Sequence, residues 1–418
     1  MFKRSIFIFA FLFSGLFISC EKDLPVSTND ESDEEEVTPR IPHFYIDTDN
    51  HDSITSKENY LEGDLVIEGN DEFPNYEGRT KIRGRGNFSW FNLPKKSFKL
   101  KLNSASPLMD LPAYKKWILL ANYLDGSLLM NSIPYKTAHL LEMPFTNHMI
   151  PIELTVNGQD RGFYVFTEHK GVSYQRIDVG EDGLLLELDT YFDEALQFKS
   201  EHYDLPVMIK FPKKEDMPEA EAQTLLTAVQ SDFNQLESLV YDSSFPNNNY
   251  LDYFDDLAYV NYMIVYQLTL NREINHPKST YIHKTAGGKY SMGIIWDFDW
   301  GFGYSENQEH FRENTTQTPL FLDSSSALAG TKFFSKFMED PHMQILFKER
   351  WNWFRAHKYS ELKKHIKEYA KIVEQAASKD YERWGLRDAT GNSEADLQRV
   401  LQWLDARANY LDTYVSGL

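Results

Sequence analysis

The chain of 418 residues holds a single cysteine, Cys20, so no internal disulfide can form and a zinc site built from several thiolates is excluded. Basic residues are also in short supply. Lys and Arg number 43 against 63 Asp and Glu, a formal charge of −20 at pH 7. Nucleic-acid affinity comes mainly from clustered Lys and Arg neutralising phosphates, so a general nucleic-acid-binding role is excluded. No internal repeat of roughly 20–50 residues runs through the chain, which removes solenoids and propellers. Apolar residues make up 42% and aromatic residues 15%, enough to bury a core. At roughly 100–200 residues per domain the length allows two to four domains, or one large α/β unit.

Residues 1–19 read as a secretory leader. Lys3 and Arg4 form a positive start, and the apolar run Ile6 to Ile18 is too short for a membrane-spanning helix of roughly 20 residues. Leu16-Phe17-Ile18-Ser19-Cys20 resembles a bacterial lipobox, whose cysteine is lipidated and becomes the new N-terminus. That resemblance implies an exported protein, anchored through Cys20 to a bacterial outer membrane or cell surface. A plainer reading is an ordinary cleaved leader that happens to contain a cysteine. Residues 20–40 follow as an acidic tether: from Glu21 to Arg40 there are eight acidic and two basic residues and few large apolar ones. Such a stretch buries too little to offset its ordering entropy, so it is expected to be disordered.

From Ile41 onward the pattern is that of a folded unit, 41–418, β-rich over 41–211 and helix-rich over 212–418. Short apolar and β-branched runs at His43–Asp47, Leu65–Glu68 and Arg79–Arg83 are broken by Asn, Asp and Gly turns. Lys96, Phe98, Leu100 and Leu102 alternate with Ser97, Lys99 and Lys101, which predicts a half-buried strand. Between Trp117 and Leu141 the spacing becomes helical, with Asp125 as N-cap. Asn157-Gly158 predicts a tight hairpin joining Ile150–Val156 to Gly162–Thr167. Leu184–Leu188 and Val207–Phe211 extend the sheet. Helical spacing then covers Pro218–Val240, Tyr250–Leu270 and 341–418, with two strands flanking Gly287-Gly288. The fold class expected is α+β.

Three clusters carry chemistry. In Arg83-Gly84-Arg85-Gly86-Asn87-Phe88-Ser89-Trp90, glycines between arginines let guanidinium groups and backbone amides approach one anion. Pro94-Lys95-Lys96 and the lysine strand beyond it add point charges. A solvated basic face explains the same residues equally well. In Trp296-Asp297-Phe298-Asp299-Trp300-Gly301-Phe302-Gly303, two carboxylates at i and i+2 of an extended segment point to one side and can reach one hard cation. Two solvated aspartates at a strand end are the simpler alternative. Between these clusters, Asn271-Arg272-Glu273-Ile274-Asn275 offers a carboxylate to orient a hydroxyl and amide oxygens for a metal, or merely a polar connection. Glu168, at the end of Tyr164–Glu168, is either a surface charge or the partner of a lysine.

In this order the clusters resemble the CotH kinase family. Lys116-Trp117-Ile118-Leu119-Leu120-Ala121-Asn122, Asp125, Asn131 and Arg161-Gly162-Phe163-Tyr164 share in the resemblance. It implies an atypical protein-kinase-like fold that binds ATP with Mg (or Mn) and phosphorylates Ser, Thr or Tyr of a protein substrate, itself included. Carried onto this chain, Arg83, Arg85, Lys96 and Lys101 contact phosphates, with Lys99 a rival. Glu168 orients one of the lysines. Asp297, Asp299 and Asn275 hold the metal, and Glu273 with Asp297 is catalytic. Where the family commonly has an aspartate, Glu273 is one methylene longer. The alternative is a non-catalytic surface lipoprotein that binds polysaccharide through its aromatic surface.

Overall fold

Alternation along the early strands decides the first half of the structure, a computed structural model that describes residues 41–322, 327–386 and 388–418. The leader, the acidic tether and Cys20 lie outside the described residues. Strands β1 (His43–Thr48), β2 (Leu61–Glu68) and β3 (Tyr76–Arg85) are followed by a short helix α1 (Phe88–Asn92), then by β4 (Ser97–Leu108) and β5 (Leu111–Leu120). Helix α2 (Ser132–Leu140) precedes β6 (Ile150–Val156) and β7 (Gln159–Glu168). These seven strands close into a barrel in the order β1-β2-β3-β4-β5-β7-β6, sealed by a parallel pairing of β1 with β6. Ile82, Leu100, Trp117, Leu119 and Phe166 fill the interior, and Trp117 stacks on Phe166 at 4.9 Å. Trp117 is fully buried, and its truncation to Ala would cost about 3–5 kcal/mol. Lys81, Arg83, Lys99 and Lys101, on alternate positions, stay half-exposed on the outside.

The helix expected from Trp117 is instead the end of β5. A continuous apolar run, Trp117-Ile118-Leu119-Leu120, suits a strand flanked on both edges, and β5 lies between β4 and β7. The helix begins only at Ser132, and Asp125 does not cap it. The Asp125 carboxylate accepts from the Ser127 amide and hydroxyl and from the Met130 amide, folding a turn ahead of α2. The hairpin forms at Asn157-Gly158, where φ is +51 and +70, the left-handed pair that its tight turn requires.

Strands β8 (Leu184–Leu188), β9 (Gln197–Lys199), β10 (Pro206–Phe211), β11 (Thr280–Lys284) and β12 (Ser291–Met292) do not extend the barrel. They form a second sheet in the order β12-β11-β8-β10-β9. It packs among α3 (Glu219–Tyr241), α4 (Asp256–Thr269), α5 (Ala329–Lys336), α6 (Pro341–His357), α7 (Tyr359–Trp384) and α8 (Ser393–Ser416) in one large apolar core. Helix α4 is buried on all sides from Tyr259 to Thr269 and ends at Leu270 with φ +49, which turns the chain into the Arg272–Asn275 turn. Barrel and helices are fastened by a fully buried ion pair, Lys95 with Asp380 of α7, whose other oxygen accepts the Phe163 amide at 3.0 Å. Among the described residues no helix is long and apolar enough to cross a membrane.

Candidate functional site

Five chain segments meet where the barrel faces the second sheet: the end of β3, the exit of β7, strand β8, and the two loops that follow α4 and β12. One buried side chain ties the backbones of the two loops together. Buried Asn271 donates from Nδ2 to the Asp297 carbonyl at 2.8 Å, and its Oδ1 accepts the Glu273 amide at 3.2 Å. Asp297 itself has φ +63, a left-handed conformation that strains a non-glycine residue and is held here by that hydrogen bond and by its buried neighbours. Asp299 is fixed through its own carbonyl, which accepts from His310 Nε2 at 2.8 Å.

Three carboxylates therefore share a poorly solvated region. Burial, and after it the Asp297 charge, push the Glu273 carboxyl well above the usual range, Asp299 and Asp189 add to the effect, and Lys278 opposes it. Glu273 is 5% exposed, and its Oε2 has no hydrogen-bond partner. Burial and Asp297 likewise push Asp299 up to about 7. Asp189 on the sheet side is raised by burial, although the Tyr191 and Ser279 amides donate to it.

Cations stand opposite the acids. Lys170, just past β7, lies 4.5 Å from the centre of the Trp296 ring and donates to the Tyr281 hydroxyl, while Arg85 sits 5.7 Å from the same Trp296 ring. Burial brings Lys170 down to about 8, despite the Glu187 charge that works to raise it. Glu187 of β8 is 2.9 Å from Lys210 and 4.0 Å from Lys170, and it accepts the Tyr281 hydroxyl. Burial alone would raise its pKa, but Lys170 and Lys210 outweigh it and hold Glu187 below the ordinary value. Lys170 and Glu187 thus form the lysine–glutamate pair beside the carboxylates. Neither stood out in the sequence, although Lys170 closes the Glu168-His169-Lys170 run at the end of a strand.

Glu168, the acid expected to aim a lysine of the basic strand, does something else. It faces the barrel interior, opposite Trp117 in the β5–β7 pairing, whereas Lys99 and Lys101 point outward. Its oxygens accept from His148 at 2.7 and 2.8 Å and lie 3.4 Å from Arg176. Asn275 is a second correction. Its Nδ2 donates to the Arg272 and Leu320 carbonyls, and its Oδ1 accepts from the Leu322 amide and the Thr331 hydroxyl. Both acceptor positions of that oxygen are filled, leaving none for a metal. Lys96 is turned to the barrel mouth, where its ammonium donates to the Trp90 carbonyl beside a cavity of about 290 Å³ lined also by Arg161, Tyr164 and Trp384. Lys101 faces outward, cross-strand from Lys81 and Lys116. Of the expected phosphate contacts, Arg85 approaches the carboxylates, while Arg83 lies farther back on β3, over the Tyr60 ring.

Among the described residues no three His, Cys, Asp or Glu side chains stand close enough to grip a metal ion as they are. The chemistry of the donors nonetheless suits a hard divalent cation. Asp297, Asp299 and Glu273 present carboxylate oxygens in a desolvated place where burial, and after it the Asp297 charge, raises Glu273 and Asp299, and a cation relieves that repulsion. No curated protein matches the chain. Residues 82–411, well over half of the sequence and including every segment of this site, match the family described as CotH kinase protein, and the chain belongs to that family.

Proposed function

We propose that this CotH-type kinase-like protein is a phosphotransferase that moves the γ-phosphoryl group of ATP to a Ser, Thr or Tyr hydroxyl of a protein. The observation that supports this reading most is the buried, unpartnered Glu273 carboxyl beside Asp297 and Asp299, with Arg85 and Lys170 facing them. Arg85 and Lys170 bind the phosphates, and the Lys170–Glu187 pair keeps the ammonium aimed. Asp297 and Asp299 hold Mg or Mn, which when bound neutralises charge on the phosphoryl oxygens. A carboxylate whose pKa is raised is a stronger base than an ordinary one, which suits Glu273 to receive the hydroxyl proton. The acceptor oxygen forms its bond to the γ-phosphorus as the bond to the β–γ bridging oxygen breaks, and ADP leaves. From the leader-like residues 1–19 and the lipobox resemblance at Cys20, we further propose that the protein lies outside the cell, tethered through a lipidated Cys20.

The test is transfer from labelled ATP and Mg by the purified full chain, to itself or to a general protein acceptor. Asp297→Asn and Glu273→Gln should each remove the signal while leaving the circular dichroism spectrum intact. A wild-type chain that transfers nothing, or an Asp297→Asn variant as active as wild type, sinks the proposal. One observation favours a binding module instead. Trp300 and Tyr191 are exposed on either side of Lys278, 5.1 and 4.8 Å from its ammonium, an arrangement suited to a sugar ring. A rise in melting temperature with oligosaccharides and none with Mg-ATP would select that reading.

A further inference from the structure

The outer face of the barrel carries a grid of positive charge that the transfer chemistry does not use. Lys81, Lys101 and Lys116 lie directly opposite one another on β3, β4 and β5. One step along, Arg83 lies opposite Lys99. Like charges placed directly opposite in a sheet repel, so this pattern costs stability unless something offsets it. Lys81 is paired with Glu62, and Arg83 is 3.7 Å from Glu58. Lys99, Lys101 and Lys116 make no ion pair and no side-chain hydrogen bond among the described residues. Lys213, leaving β10, brings a further positive charge to bear on Lys99 and Lys116, while Glu215 and Asp216 offset it only in part. Burial, with Arg83 and Lys116 next, holds Lys99 down at about 7. In a chain with a net charge of −20, such a concentration marks a place built for an anion.

The spacing says which kind. The row Lys81–Lys101–Lys116 spans two interstrand gaps, about 10 Å, and the two rows are two residues apart along β4, about 6.6 Å. One carboxylate or phosphate fills neither dimension. Arg85, four residues from Lys81 on the same strand, is about 13 Å from the far row, so a phosphate held at Arg85 leaves Lys81 and Lys101 free. Same-side side chains of an extended polypeptide also recur every two residues, at about 6.6 Å. We propose that this grid binds an extended acidic polypeptide, with carboxylates at alternate positions seated on the Arg83–Lys99 and Lys81–Lys101–Lys116 rows. It runs from the barrel face toward Arg85 and so lays the bound segment alongside the carboxylate site. That the segment belongs to the phosphoacceptor rests on the kinase reading; the binding itself does not.

The measurement is fluorescence anisotropy of a labelled peptide of alternating Glu and Thr with the full chain, at low and at physiological salt. Binding should weaken as salt rises, because these charges are partly exposed. Lys101→Gln and Lys116→Gln should each weaken binding by about threefold and their combination by about tenfold or more, with unchanged circular dichroism. Asp297→Asn should bind the peptide as wild type does, and saturating Mg-ATP should not displace it. Equal affinity in the double variant, displacement by Mg-ATP or by tripolyphosphate, or no binding at low salt overturns the assignment. If the double variant unfolds, the single variants decide by the same criterion. Binding without any transfer would leave the grid standing and remove the kinase reading, and transfer without peptide binding would do the reverse.

Discussion

Replacing Glu273 by Gln separates what this carboxyl does for chemistry from what it does to the fold. Its Oε2 has no partner, it is 5% exposed, and three acidic neighbours, Asp297, Asp299 and Asp189, outnumber the one opposing cation, Lys278. Its folded pKa is therefore raised, so the native state binds this proton more tightly than the unfolded chain does. The stabilisation linked to that proton is complete below the unfolded pKa and is lost as pH rises through the folded pKa. Each unit of upward shift corresponds to about 1.4 kcal/mol of stability absent at high pH. Gln is the shape of the neutral acid and never ionises. In chelator-treated protein the two chains should unfold alike near pH 4, and Glu273→Gln should be the more stable by a margin that grows toward pH 8. Its phosphotransfer rate should fall by about 10²–10⁴, the usual contribution of a positioned base. Urea unfolding at the two pH values, beside a transfer assay, checks both halves. A variant less stable than wild type at pH 8 would show that the carboxylate is ionised and favourably held, and would refute the electrostatic argument whatever the activity.

Other substitutions test the frame around the site. Lys95→Met leaves buried Asp380 without its ion-pair partner, only Arg383 still opposing its charge, and should cost about 3–5 kcal/mol in urea unfolding, much of it recovered when Asp380→Asn is added. Gly330→Ala would put a methyl 1.9 Å from the Ile274 carbonyl, so the Arg272–Asn275 turn must shift; a loss of about 1–3 kcal/mol together with slower transfer is expected, although no reacting group is altered. Lys99 titrates at about 7 in the fold, below its ordinary value, so the native state binds fewer protons than the unfolded chain above pH 7 and wild-type stability should rise with pH from about 7 toward 10. Lys99→Met should flatten that rise and be the more stable at pH 6, as followed by thermal unfolding across the range.

Local pattern made part of this legible. The alternation of Phe98, Leu100 and Leu102 with Lys99 and Lys101 gave the inside and outside of β4, because a strand shows its sidedness every two residues. Asn157-Gly158 announced its hairpin because few other residue pairs take positive φ twice in succession. The Asp297-x-Asp299 and Glu273 segments stood out because carboxylates among aromatic residues need a reason. The ion pairs around them left no such mark. Glu187 reads as one polar residue in the apolar strand Leu184–Leu188, and its partners Lys170, Lys210 and Tyr281 come from three other segments, one past the barrel strand β7 and two in the second sheet, that meet only in the folded chain. Lys95 was hidden by its neighbour: in Pro94-Lys95-Lys96 nothing distinguishes the fully buried lysine from the half-exposed one. Trp117–Leu120 carries a related ambiguity, since an unbroken apolar run looks the same in a buried strand and in a buried helix.

Asn271 has a further consequence. With its amide nitrogen on the Asp297 carbonyl and its amide oxygen on the Glu273 backbone, it couples the two loops mechanically. A ligand that draws Asp297 away from its left-handed conformation must pull on the Glu273 backbone, and a ligand that displaces Glu273 must tug on the Asp297 loop. Thermodynamic linkage makes such coupling equal in both directions. Occupancy on either side therefore reports to the other through this amide, and shortening or inverting it would weaken the link between the two loops.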